Sequence, residues 1–236
     1  MANQYFKFKQ FTVWQERCGM KVGTDGVLLG AWAGGGENIL DIGTGTGLVA
    51  LMMAQRFPQA HVTAVEIDPE AAQQAAENVA RSPFYDRIAV VAEDVTAWAE
   101  NETNGFPFDA IVCNPPFFVH ALKNPDAKRA MARHTDALPT HRLMAVAVKL
   151  LAAHGRFSLI VPADMKNTME SEACLAGLFL ADCCMVKTNN NKLPKRCLLQ
   201  FVKQRIESVQ QQTVVLEDPP GTRSPWYQSI TSAFYL

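Results

Sequence analysis

The feature that most constrains this chain is a strand that runs into glycines and then into a helix. Asn38–Ile42 is a short apolar run of the kind a sheet buries on both faces. Asp41-Ile42-Gly43-Thr44-Gly45-Thr46-Gly47 carries the chain out of it, and residues 46–56 have helical texture and stop before Pro58. Glycines allow a sharp turn and let the backbone approach a ligand closely. The helix start adds unpaired N–H groups and the positive end of a dipole. An anionic or carboxylate group is therefore expected at this loop.

The same alternation repeats downstream. His61–Glu66 reads as a second strand, and residues 69–81 as a helix with Pro69 in its first turn. Ile88–Ala92 and Phe108–Cys113 read as the third and fourth strands. Residues 140–153 read as a helix N-capped by Thr140, and residues 155–161 as a fifth strand ending at Pro162. Strands alternating with helices imply right-handed βαβ units. Past residue 180, two strand-like runs at 183–188 and 197–202 flank Asn189-Asn190-Asn191-Lys192-Leu193-Pro194. That turn-rich link predicts an antiparallel pair at the C-terminal edge. The expected fold is α/β: a doubly wound, Rossmann-like, mostly parallel seven-stranded sheet with an antiparallel C-terminal hairpin strand.

Tyr5-Phe6-Lys7-Phe8-Lys9-Gln10-Phe11 alternates aromatic and polar residues like one half-buried strand. Its aromatics suit packing better than base stacking. Two glycine turns and a short helix at 27–32 follow. Residues 1–236 are expected to form one domain, with 1–35 as an N-terminal cap and 36–236 as the catalytic core.

The formal net charge is -1, so any polyanion must be met by a local patch. The six cysteines contain no Cys-x-x-Cys pair and have no metal-like histidine spacing, so reduced thiols and no metal are expected. There is no signal-peptide pattern and no apolar run near the ~18 residues that span a membrane. A cytoplasmic, monomeric protein is expected.

The glycine spacing selects among ligands. A dinucleotide loop is G-x-G-x-x-G, whereas Leu48 fills the last of those positions here and Gly43, Gly45 and Gly47 form G-x-G-x-G. Asp41 would repel a pyrophosphate but suits a cationic methionine end. Glu66, about 20 residues on, can grip both ribose hydroxyls. Asp94 follows the third strand, where it can accept from an adenine amine or cap a helix starting at Val95. Asp41, Gly43, Thr44, Gly45, Gly47, Glu66, Ile67, Asp94 and Val95 are thus candidate contacts for S-adenosyl-L-methionine.

Asn114-Pro115-Pro116-Phe117 ends the fourth strand. Asn114 offers an amide carbonyl to an amino group. Pro115 has no N–H to compete for its own carbonyl, and Pro116 stiffens the turn. Phe117 offers a face for a planar base. Two acceptors aimed at an exocyclic amine leave its lone pair free for the methyl donor. This tetrapeptide is the candidate catalytic element, and Asn114 is also a candidate cofactor contact.

These residues resemble class I amino-methyltransferases with an N-P-P-[FY] motif. Met20-Lys21-Val22-Gly23-Thr24-Asp25-Gly26-Val27-Leu28-Leu29-Gly30-Ala31-Trp32 is similar to the upstream signature of the bacterial valine-tRNA adenine-37 N6-methyltransferases. Val65-Glu66-Ile67-Asp68, Asn114 to Phe118, Arg133-His134 and Leu193-Pro194-Lys195-Arg196 are similar to that family too. The resemblance implies N6-methylation of adenosine 37 in a valine tRNA. It also implies that the 21–25 segment, with Lys21 and Thr24, closes over the cofactor's methionine end.

A tRNA partner fits the local charge. Residues 120–142 carry a net +3, with Lys123, Lys128, Arg129, Arg133 and Arg142 the cations and His134 among them. Lys195 and Arg196 add positive charge from the tail. Alternative substrates are a protein glutamine amide, or another adenine in rRNA or DNA. The short N-terminal segment and the lack of a target-recognition domain weigh against the glutamine and DNA readings. A non-catalytic nucleotide-binding scaffold is disfavoured by the complete motif set.

Overall fold

The computed structural model describes residues 3–101, 107–116 and 138–236. Candidates Phe117, Lys123, Lys128, Arg129, Arg133 and His134 lie outside them.

A hairpin of β1 (Tyr5–Lys7) and β2 (Thr12–Trp14) leads into α1 (Thr24–Trp32). Then come β3 (Asn38–Ile42), α2 (Leu48–Arg56), β4 (His61–Glu66), α3 (Pro69–Ala80), β5 (Ile88–Ala92), α4 (Val95–Asn101) and β6 (Phe108–Cys113). After these come α5 (Thr140–Leu150), β7 (Leu151–Pro162), a 3-10 turn, α6 (Lys166–Ala176), β8 (Phe179–Lys187), β9 (Arg196–Val202), β10 (Gln210–Val215) and α7 (Pro225–Thr231). The main sheet runs β10-β8-β9-β7-β6-β3-β4-β5.

The sheet has eight strands, not seven. The extra strand is β10, which pairs parallel with β8; its first four residues are polar and exposed, so no apolar alternation announced it. The antiparallel pair is present but does not form the edge. β9 is inserted between β7 and β8 and runs antiparallel to both. A hairpin link predicts pairing, not the side on which the second strand lands. The run from Tyr5 to Phe11 is not one strand either: it turns at Phe8–Phe11, where the Phe8 N–H donates to the Phe11 carbonyl at 2.9 Å. Both phenyl rings go into the core, stacked at 4.8 Å.

Helix boundaries also move: the helix expected at 27–32 begins at Thr24, and the one expected from residue 46 begins at Leu48. Thr140 is the first residue of α5, and Pro139 occupies the cap position. α5 ends at Leu150 because β7 begins immediately, with a register irregularity between Phe108 and Ala110 of β6. Gly155 lies within β7 near this step; a Cβ there would stand 2.8 Å from the Phe108 carbonyl oxygen.

Each face of the sheet has its own apolar core. One is filled by α1, α2 and the aromatic cap, with Val27, Leu28, Leu51, Met52 and Phe8 fully covered. The other is filled by α4, α5 and α6, with Trp98, Leu143, Met144 and Met169. α2 is buried all round from Leu48 to Ala54 because it lies between the sheet and α1.

Candidate functional site

Strand order reverses between β3 and β6, which pair side by side and send their connections to opposite faces. In open parallel sheets, the crevice at the carboxyl ends beside such a switch receives the ligand. The glycine loop leaves β3 at that point, Glu66 ends β4, Asp94 follows β5, and Asn114 follows β6.

Gly43, Gly45 and Gly47 all have positive φ, at 69°, 55° and 81°, a conformation that strains any side chain. A Cβ at Gly43 or Gly45 would meet nothing within 4 Å, so the loop presents bare backbone to open space. The Gly43 and Thr44 N–H groups donate to the Val65 carbonyl at 2.9 and 3.1 Å, extending the β3–β4 pairing into the loop.

Asp41 is buried beneath this loop. One carboxylate oxygen accepts from the Thr44 hydroxyl at 2.6 Å and from the Ala50 N–H at 3.1 Å. It therefore joins loop to helix, and Thr44 supports it from above rather than projecting outward. Burial pushes its pKa up to about 7 against those two bonds.

Glu66 is held from two sides. One oxygen accepts from the Gly45 N–H at 2.8 Å, the other from the Asp68 N–H at 3.0 Å. A carboxylate has about four acceptor positions, so roughly two remain for hydroxyls. Ile67, next in sequence, is 47% exposed, an apolar plate beside the carboxylate. Asp94 starts α4: its carboxylate accepts from the Thr96 N–H at 2.6 Å and the Thr96 hydroxyl at 2.5 Å. These bonds hold its pKa below the usual carboxylate range. The capping alternative for Asp94 is realised, while Val95 is buried.

Across the crevice, the Asn114 side chain makes no hydrogen bond among the described residues. Pro115 is half-buried and Pro116 exposed. A Cβ on Gly26, in the first turn of α1, would stand 3.9 Å from Asn114 Nδ2 and 3.0 Å from Leu48 Cδ2. The start of α1, the start of α2 and the catalytic turn therefore meet at one point. Lys21 and Thr24 are exposed at that end of α1. Cys113, just before Asn114, is buried, and its pKa is driven well above the ordinary thiol value.

Lys195 is exposed on the β8–β9 loop. Arg196 pairs within the chain: its Nε donates to Asp25 at 2.7 Å and its Nη1 to the Lys195 carbonyl at 3.1 Å.

Sequence reading missed Asn78. Fully buried on α3, it accepts from the Trp14 N–H at 2.9 Å and donates to the carbonyls of Trp14 at 2.8 Å and Thr46 at 2.9 Å. It thus ties the cap to the glycine loop. Gln74 and Glu77 on the same helix add bonds to Arg17. The available signal was position: Asn78 follows Gln74 by four and Ala75 by three, on the buried face.

Glycine loop, acidic strand end and Asn-Pro-Pro turn on this strand order define a methyltransferase, and residues 26–193 match the methyltransferase small domain family. Solved structures share the fold. A predicted O-methyltransferase from Agrobacterium tumefaciens superposes with TM-score 0.67 at 20% identity, covering 89% of this chain and 96% of that one. A putative RNA methyltransferase from Pyrococcus horikoshii gives TM-score 0.51 at 20% identity, covering 72% and 75%. Proteins named tRNA1(Val) (adenine(37)-N6)-methyltransferase are similar over the whole chain. That of Bacteroides thetaiotaomicron is 46% identical and that of Phocaeicola vulgatus 47%, each covering 100% of this chain and 99% of the relative. That of Tolumonas auensis is 38% identical, covering 100% and 98%. The chain belongs to this family of bacterial tRNA methyltransferases.

Proposed function

We propose that this chain methylates N6 of adenosine 37 in valine tRNA, with S-adenosyl-L-methionine as methyl donor. The observation that carries the reading is the Asn114 amide, unbonded among the described residues, across the switch point from a glycine loop and a pre-oriented Glu66. The name borne by full-length relatives supports the choice of RNA position.

The residues fit the donor. Glu66 keeps acceptor capacity for ribose hydroxyls, Ile67 offers an apolar face to adenine, and Gly43 and Gly45 leave room for the chain between them. Asp94 can accept from the adenine amine with the oxygen not engaged by Thr96. When bound, the donor supplies an electrophilic methyl on a sulfonium.

The chain's own contribution is positioning. Asn114 Oδ1 and the Pro115 carbonyl accept the two N–H bonds of the target amine, turning its lone pair toward the methyl. The amine nitrogen would take the methyl as the methyl's bond to sulfur breaks, leaving a neutral thioether, and would give one proton to water. Cys113, buried and protonated, takes no part in that transfer. Adenosine must leave its stack to reach Asn114, which costs least in a single-stranded loop. Lys195 is exposed and available for phosphate contact, and the sequence adds Lys123, Lys128, Arg129, Arg133 and His134 as further basic candidates.

Among the described residues no helix is long and apolar enough to cross a membrane, and no metal-ligating cluster occurs. A tRNA substrate and six free cysteines suit a cytoplasmic enzyme, taken here as a monomer.

The test is transfer of tritiated methyl into total tRNA and total protein, followed by nucleoside analysis. Label in N6-methyladenosine at position 37 is expected. Label in protein alone would overturn the reading in favour of a glutamine substrate.

A further inference from the structure

Asp25 and Arg196 lie 171 residues apart in sequence yet meet at 2.7 Å. Asp25 is in the first turn of α1, next to Gly26, the residue against which Asn114 and Leu48 pack. Arg196 opens β9 opposite Pro162 at the top of β7. Its guanidinium is held twice, by Asp25 and by the Lys195 carbonyl, so its plane is set. The cap residue of α1, Gly23, has no side-chain cap, so little else fixes this turn from within the helix.

The pair is about a third exposed on each side, at 34% and 40%. Pairs this exposed add little to stability, so its effect lies elsewhere. Geometry is more sensitive: a shift of about 1 Å in a reacting group can cost on the order of a hundredfold in rate.

We infer that Asp25 and Arg196 form a latch that holds the first turn of α1 against Asn114, making Arg196 a positioning residue for methyl transfer rather than a phosphate contact. The inference rests on the reading of Asn114 as the methyl-transfer site. The latch joins the first turn of α1, which packs on both Asn114 and Leu48 at the end of the glycine loop, to the sheet that carries the catalytic turn. Lys195, whose side chain makes no hydrogen bond among the described residues, is left as the phosphate contact of that loop.

A double-mutant cycle over Asp25→Ala, Arg196→Ala and the combined variant tests this, with Lys195→Ala alongside. Two readouts are needed: calorimetric affinity for S-adenosylhomocysteine without RNA, and kcat and KM on a tRNA transcript at two salt concentrations. Each single variant is expected to weaken S-adenosylhomocysteine binding and lower kcat, by about tenfold, with little change in RNA KM. The combined variant should be no worse than either single one, because both remove the same contact. Arg196→Lys should recover part of the loss. Lys195→Ala should raise the RNA KM and flatten its salt dependence. The latch is overturned if Arg196→Ala behaves like Lys195→Ala while Asp25→Ala is silent, or if the two losses add. If the parent enzyme methylates no RNA, the proposed substrate fails, and the calorimetric cycle alone still decides the latch.

Discussion

The two walls of the crevice are built in opposite ways. On the glycine-loop side the three acids are already bonded within the chain: Asp41 by Thr44 and Ala50, Glu66 by Gly45 and Asp68, Asp94 by Thr96. On the β6 side the Asn114 amide is unbonded among the described residues, between two stiff prolines and the start of α1. A pre-bonded carboxylate is fixed in one orientation and meets its ligand at little entropic cost. An unbonded amide keeps its full capacity for an incoming amine. The first wall thus suits a ligand of constant shape that returns every cycle. The second suits a base that arrives, reacts and leaves.

Four substitutions break or sharpen that contrast. Asn114→Ala should have the largest effect, lowering kcat on the order of 10²–10³-fold, the scale of one lost preorganised partner. Cofactor affinity should hold within about twofold by calorimetry; an equal loss there would put Asn114 on the other wall. Glu66→Gln should do the reverse, weakening cofactor binding roughly 10- to 100-fold through charged hydrogen bonds worth about 1.5–3 kcal/mol. Its kcat at saturating cofactor should move far less.

Asn78→Ala touches neither ligand. It strips three bonds and leaves buried partners unsatisfied, so a loss of about 3 kcal/mol by chemical denaturation is expected. Asp41→Asn keeps an acceptor for Thr44 and Ala50, so its effect is read in the pH dependence of stability. The folded Asp41 pKa, raised to about 7, lies above the unfolded value, so folding takes up a proton between them. That contribution is present below the ordinary carboxylate range and is lost as pH rises toward 7. The Asn variant should show a flatter stability profile between about pH 4 and 7; a profile parallel to the parent's would mean that Asp41 ionises normally.

The same contrast marks what could be read in advance. Glycine loop, Glu66 and Asn-Pro-Pro turn are local signals, each within a few residues of a strand end, and all fall where the strand pattern put them. The parallel core was legible because buried strands are apolar in both directions. The pairing of Arg196 with Asp25 leaves no local trace, because its partner is 171 positions away. Asn78 sits in an alanine-rich helix where an asparagine looks solvated until the face is counted. β10 opens with three exposed glutamines that are held by pairing to β8, with burial only at its end, at Val214.

The aromatic cap also bears on how the chain is made. The Lys9 N–H donates to the Phe234 carbonyl at 2.8 Å, and Phe8 stacks on Tyr235 at 5.9 Å. Residues 8 and 9 leave the ribosome long before residue 235 and find these partners only after it has emerged. The parallel core can assemble during synthesis, domain-fashion, but the cap completes its packing after it. A ribosome-bound chain stalled before that point would carry a finished glycine loop under an unseated roof.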